Sequence, residues 1–159
     1  TITVSDNDSA NELVRKLGGG DFHTGAAIVN EFCQERNYTS THLGREFLAS
    51  DPTDDNYTSA SDCCRLLSDI YNSSLVNAEA SAEMLALLTS QTKTAKIPAG
   101  VPDSGKLGVV ENDLAIVFDK EHPYVLCVLS NNIQNNSSAQ KTIKKISADV
   151  YTYMTTIQK

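Results

Sequence analysis

The segment Lys96-Ile97-Pro98-Ala99-Gly100-Val101-Pro102 constrains the fold more than any other stretch of this chain. A proline fixes its own φ and has no N–H, so neither Pro98 nor Pro102 can donate to a sheet ladder or continue a helix. The segment therefore reads as a rigid connector between two differently patterned halves. Before it, apolar residues recur at helical spacing. After it come two short strand-like runs, a polar loop and one long helical pattern. Helices first, then a hairpin, then a final helix packed on the sheet make an α+β arrangement.

Residues 5–17 read as a loop running into a helix with apolar positions at Leu13, Val14 and Leu17, ended by Gly18-Gly19-Gly20. That triplet lacks the Gly-Lys-Ser/Thr ending and preceding strand of a phosphate loop, so it is read as a helix terminus. Thr24 to Arg36 carries Ala27, Ile28, Phe32 and Cys33 at helical spacing. Asn37 to Asp55 is a long polar loop, and connections of this length inside a compact domain are more often functional than not. Thr58 or Ser59 caps a helix to about Asn72, with Cys63, Leu66, Leu67 and Ile70 on one face. Ala78 to Thr89 repeats the pattern through Met84, Leu85 and Leu88. Strands are expected at about Asp113–Phe118 and Tyr124–Ser130, joined by the turn-like Asp119-Lys120-Glu121-His122-Pro123. The closing helix spans about Ala139 to Thr155, with Ile143, Ile146, Val150 and Tyr153 as its buried stripe.

A chain of 159 residues suits one domain with a real core, divided into a helical region (1–95) and a strand-plus-helix region (96–159). The apolar fraction is 40%, and no apolar run approaches the roughly 20 residues that span a bilayer. The formal charge of −7 and the scattered basic residues exclude a phosphate-gripping nucleic-acid surface; Lys141, Lys144 and Lys145 read as a solvated helix face. Cys33, Cys63, Cys64 and Cys127 all lie in apolar periodic segments, where buried thiols act as small hydrophobes. His23, His42 and His122 are isolated, so no zinc site or other cofactor is expected. Asn-x-Ser/Thr triplets at Asn37, Asn56 and Asn72 are coincidental in so Asn- and Ser-rich a chain.

Ser5-Asp6-Asn7 stands where the first loop meets its helix. All three residue types are preferred at helix N-caps, so an ordinary cap is one reading. Ser-Asp-Asn is also one of three signatures of penicillin-recognising serine enzymes, beside Ser-x-x-Lys and Lys-Thr-Gly. Three further stretches follow in order: Asn56-Tyr57-Thr58-Ser59-Ala60-Ser61-Asp62, Ile97-Pro98-Ala99-Gly100-Val101-Pro102 and Glu111-Asn112-Asp113-Leu114-Ala115-Ile116-Val117. With Ser5-Asp6-Asn7-Asp8-Ser9-Ala10-Asn11, they resemble the C-terminal two thirds of a class A β-lactamase-like serine hydrolase, of the family whose fold DD-peptidases share. The resemblance covers nearly the whole chain and implies a β-lactamase/DD-peptidase-like fold, incomplete relative to the family.

What the resemblance implies is acyl transfer: a serine attacks an amide carbonyl, an acyl-enzyme forms, and an acceptor releases it. Ser5 would relay a proton to the leaving nitrogen, and Asn7 would hydrogen-bond the substrate's side-chain amide. Asp6 would bond backbone. Glu46, in Leu43-Gly44-Arg45-Glu46-Phe47-Leu48, lies in the long loop where the family keeps its general base; an exposed Arg45–Glu46 ion pair is the other reading. No Ser-x-x-Lys stands before Ser5, so the nucleophile is expected outside this chain. Downstream, Ser90-Gln91-Thr92-Lys93 has that spacing at a place where the resemblance implies nothing catalytic. In place of the Lys-Thr-Gly strand stands Asp103-Ser104-Gly105-Lys106; Ser104 and Gly105 would take the Thr and Gly positions, with Lys106 as substitute cation.

The expected ligand is a β-lactam or a D-Ala-D-Ala-like peptide, the expected place of work is outside the cytoplasm, and no cofactor is implied. An open sheet edge and apolar face would call for a second copy or a companion N-terminal segment. Two readings compete with an active hydrolase. One is an inactive penicillin-binding or DD-peptidase-like homologue that binds peptidoglycan or a protein partner; the other is an unrelated α+β domain.

Overall fold

Six helices and two strands are formed in the computed structural model, which describes residues 1–50, 53–92, 95–101 and 113–156. They are α1 (Asn7–Leu17), α2 (Phe22–Glu35), α3 (Ala60–Tyr71), α4 (Ala78–Thr89), α5 (Ile97–Gly100), β1 (Asp113–Val117), β2 (Tyr124–Val128) and α6 (Asn136–Thr156). The fold is the expected α+β type, helical with an antiparallel hairpin and a closing helix. The chain forms two compact units: Thr1 with Ser5–Asp62, and Ile2–Val4 with Cys63–Lys159.

In the first unit, Asp6 caps α1 by accepting from the Ser9 backbone N–H (2.7 Å), and Asp21 caps α2 by accepting from Thr24 N–H (2.7 Å). The glycine triplet ends α1 as expected. A Cβ on Gly18 would lie 2.1 Å from the Asp21 carbonyl oxygen, while Gly19 (φ 67°) and Gly20 (φ 108°) adopt left-handed backbone that only glycine takes without strain. Helices α1 and α2 meet where Gly25 lets the Val14 carbonyl approach, since a Cβ there would be 1.9 Å from that oxygen. Val14, Phe22 and Ala26 form the core of this contact, with Leu43 packed against it.

The structure shows which of the apolar positions on these two helices turn inward. Of Leu13, Val14 and Leu17 only Val14 is buried; Leu13 and Leu17 are exposed. On α2 the buried positions are Phe22, Gly25, Ala26 and Cys33, while Ala27 and Ile28 face outward. The close approach at Gly25 chooses the inward face, and the bulkier apolar neighbours are turned away from it.

In the second unit, β1 and β2 pair antiparallel from Asp113↔Val128 to Val117↔Tyr124. Ile97, Ala115 and Ile143 are buried together with Leu126 and Val128 against them, so α6 packs on the sheet through Ile143. The proline connector is more than an extended spacer. Its first half folds into the single turn α5, with Pro98 in the opening turn, where a missing N–H breaks no helical hydrogen bond. Both backbone groups of Ile97 are held in the interior: its N–H donates to Asp113 Oδ2 (2.6 Å) and its carbonyl accepts from Ser147 Oγ (2.8 Å). Gly100 brings α5 onto α6, where a Cβ would lie 2.5 Å from the Lys144 carbonyl oxygen.

The stripe expected on α6 is also corrected. Ile143 and Ser147 are buried, whereas Ile146 and Tyr153 are exposed. Ser147 takes the inward position because α5 lies close enough there to require a small, hydrogen-bonding residue. Ser59 is the α3 cap, its Oγ accepting from Asp62 N–H (3.1 Å).

Candidate functional site

Asp6 alone does the capping at the start of α1, and hydrogen bonds from Ser9 hold its carboxyl below the usual carboxylate range. Ser5 precedes it, half-buried, with φ 58° in the left-handed region that non-glycine residues enter at a cost of order 1 kcal/mol. Asn7 is the first residue of α1 and is exposed. Neither the Ser5 nor the Asn7 side chain is needed to cap the helix.

The long loop is set down on this unit by three asparagine side chains. Asn11, buried on α1, accepts from the Phe47 N–H (2.8 Å) and donates to the Phe47 carbonyl (3.2 Å). Asn30 on α2 makes the same paired contact with Leu43, accepting at 2.8 Å and donating at 3.0 Å. Asn56 accepts from Gly44 N–H (2.9 Å) and Arg45 N–H (3.0 Å) and donates to the Arg45 carbonyl (3.0 Å). At the base of the loop His42 and Tyr57 exchange backbone hydrogen bonds, stack their rings with centroids 5.2 Å apart, and His42 Nε2 lies 2.8 Å from Asp54 Oδ1. Asp62, buried, accepts from Ser40 N–H (2.8 Å) and Thr41 Oγ1 (2.9 Å).

Glu46 is thereby brought to α1. Its Oε2 lies 2.6 Å from Arg15, whose guanidinium is held protonated more strongly than usual chiefly by that hydrogen bond. Arg45 instead pairs with Asp55 (2.8 Å). The side-chain Arg45–Glu46 pair considered from the sequence is therefore replaced by Arg15–Glu46 and Arg45–Asp55. Asp8, Ser9, Glu12 and Arg15 of α1 line an open cleft with Glu46 and Phe47 of the loop; Ser5 and Asn7 are not among its lining residues. Ser104, Gly105 and Lys106 lie outside the described residues.

The sequence gives no direct sign of the three asparagine contacts or of Arg15 as the partner of Glu46, because polar residues near a polar loop look alike until the chain folds. Ser90 ends α4, its Oγ donating to the Leu87 carbonyl (2.7 Å). A further Ser-x-x-Lys spacing, Ser138-Ala139-Gln140-Lys141, escapes the sequence reading; it falls on the start of α6 with Ser138 and Lys141 both exposed. Among the described residues no cluster of His, Cys, Asp or Glu could hold a metal ion, and no helix is long and apolar enough to cross a membrane.

A family model described as the beta-lactamase enzyme family matches residues 1–154. Solved structures share the fold. A β-lactamase from Sphaerobacter thermophilus is 20% identical with a TM-score of 0.82, the match covering 99% of this chain and 61% of that one. A mutant of PBP-A, solved as an acyl-enzyme complex with penicillin G, is 18% identical with a TM-score of 0.73, covering 96% and 59%. A β-lactamase from Desulfarculus baarsii is 22% identical with a TM-score of 0.67, covering 94% and 61%. The chain thus spans about three fifths of the length of these structures. No curated protein matches the chain.

Proposed function

From a chain that belongs to the beta-lactamase enzyme family, we propose that Ser5 and Asn7 form one wall of a serine acyl-transfer site for β-lactams or D-Ala-D-Ala-like amides. The observation that carries this is the division of labour at the start of α1. Asp6 supplies the cap, which leaves the Ser5 and Asn7 side chains without that duty, and Ser5 at φ 58° is the left-handed position of the turn closed by Asp6 N–H on the Thr1 carbonyl (3.1 Å).

In the reaction a nucleophilic serine attacks the amide carbonyl and the C–N bond breaks, so the departing nitrogen needs a proton. Ser5 Oγ–H donates that proton and accepts on an oxygen lone pair the proton that the nucleophilic serine gives up on attack, passed on by the nucleophile's lysine. Asn7, exposed at the helix start, offers a carbonyl and an amide to the substrate's side-chain amide. The nucleophile and its lysine are supplied by residues other than these 159, and the protein works outside the cytoplasm.

The test is labelling of the full-length gene product with a fluorescent penicillin, with and without Ser5→Ala. Positioned proton transfer contributes roughly 100-fold or more. Ser5→Ala should therefore slow acylation by about that factor while the protein stays folded; unchanged labelling would sink the assignment.

A second reading is a penicillin-binding homologue that acylates but releases slowly. It is favoured by the Arg15–Glu46 contact at 2.6 Å, which occupies the carboxylate expected to activate water. A chromogenic cephalosporin separates the two readings: sustained turnover supports the hydrolase, whereas a single burst followed by a stall supports the binder.

A further inference from the structure

The open cleft between α1 and the long loop has a volume of about 1240 Å³, and neither Ser5 nor Asn7 lines it. Its walls carry large apolar side chains that the fold leaves in water. Leu13 on α1 is 56% exposed, and Phe47 and Leu48 on the loop are 38% and 79% exposed. Leu48 is the least expected of them. It is the third residue of the turn that the Ala49 N–H closes on the Glu46 carbonyl (3.2 Å), and its φ of 68° is the left-handed value that glycine or asparagine ordinarily supplies. A leucine here serves neither the turn nor the core. Clustered apolar side chains kept in water mark a surface that a partner covers.

The charges in the cleft fall into two groups. Arg15 is held between Glu46 (2.6 Å) and Glu12 (3.5 Å), so these three side chains are engaged within the protein. Asp8 and Lys16 line the same cleft, are exposed, and form no ion pair among the described residues. At about 1.5 Å of rise per residue, they stand about 12 Å apart along the axis of α1. The cleft thus offers one free anion and one free cation with an apolar wall between them.

We propose that this cleft binds an extended peptide segment of a partner protein, with a basic side chain against Asp8, an acidic one against Lys16, and apolar residues between them on Leu13, Phe47 and Leu48. An extended chain advances about 3.3 Å per residue, so about four residues bridge the two charges. An open cleft suits a chain that enters at one end and leaves at the other, whereas a small-molecule site encloses most of its ligand. Contact with the apolar wall supplies affinity, and the two charges fix register.

The test is fluorescence polarisation with three labelled, end-capped peptides, Lys-Leu-Val-Leu-Glu, Lys-Leu-Val-Leu-Lys and Glu-Leu-Val-Leu-Glu, titrated with the folded full-length protein. The first should bind saturably and about fivefold tighter than either like-charged peptide, the ceiling for one exposed ion pair. Asp8→Lys should move the preference to the peptide with two glutamates, and Lys16→Glu to the peptide with two lysines. Both positions are exposed, so neither variant threatens folding. Leu48→Ser should weaken binding of the first peptide by about tenfold through lost apolar burial. Equal affinity for the three peptides, a preference that does not follow the substitutions, binding indifferent to Leu48→Ser, no saturable binding, or a dimer of the protein that Leu48→Ser dissociates would each overturn the proposal.

Discussion

Replacing Asn11 tests how the long loop is held. Its carboxamide is 4% exposed and makes two hydrogen bonds to one residue, 2.8 Å from the Phe47 N–H and 3.2 Å to the Phe47 carbonyl. Each such bond has a net worth of about 1 kcal/mol, so Asn11→Ala should loosen the loop by about 2 kcal/mol. Phe47 is 38% exposed, so water can reach the released backbone groups and the loss stays near this value. A local opening made easier by about 2 kcal/mol speeds exchange of the Phe47 amide by about 30-fold. Hydrogen–deuterium exchange followed on that amide reads this directly. Asn11→Asp is the sharper variant: it keeps the acceptor for the Phe47 N–H and sets a negative oxygen against the Phe47 carbonyl. If either variant leaves Phe47 exchange within about 3-fold of wild type, the loop is not held by Asn11 and the reasoning fails.

Three more outcomes are expected. Gly25→Ala places a Cβ 1.9 Å from the Val14 carbonyl oxygen; separating α1 and α2 should cost about 2–3 kcal/mol, read as a lower urea midpoint, and an unchanged midpoint would contradict the contact. Ser147→Ala leaves the Ile97 carbonyl without its 2.8 Å donor in a fully buried place; a loss of about 1–3 kcal/mol in chemical unfolding is expected, and a neutral result would mean another donor serves it. Acid should destabilise the fold through Asp6, Asp21, Asp55 and Asp119. Hydrogen bonds, chiefly from Ser9, Thr24, the Asn56 backbone and the His122 backbone respectively, hold all four below the ordinary 3.8. A carboxylate depressed in the folded state contributes its stability in full above the unfolded value and loses it as pH falls through the folded one. The urea midpoint should therefore fall on acidification from about pH 6 to about pH 2, and a flat or rising profile would refute this.

Element positions were legible in the residues because local chemistry sets them. The α4 helix occupies Ala78–Thr89 as expected, and Ser59 caps α3. Helix faces were less legible, and the misses share a cause. Periodicity counts apolar side chains: it marked Ala27 and Ile28 as apolar positions of α2 and put Ile146 and Tyr153 in the buried stripe of α6. The faces that are buried are marked by Gly25 and Ser147, where backbones approach too closely for anything larger. Ser5, Asn7 and Glu46 were visible as residue types in suggestive places. The partner of Glu46 was not, because Arg15 lies 31 positions away in sequence and only the folded loop brings the two side chains to 2.6 Å.

The hydrogen bonds by which the three asparagines grip the loop all go to its peptide groups. Path and content are thereby separated. Phe47, which lines the cleft, can be exchanged for another residue without releasing its peg, since every amino acid but proline presents the same N–H and carbonyl. The loop is thus a mount on which selection can change the chemistry facing the cleft, one residue at a time, while the course of the backbone stays where Asn11, Asn30 and Asn56 put it.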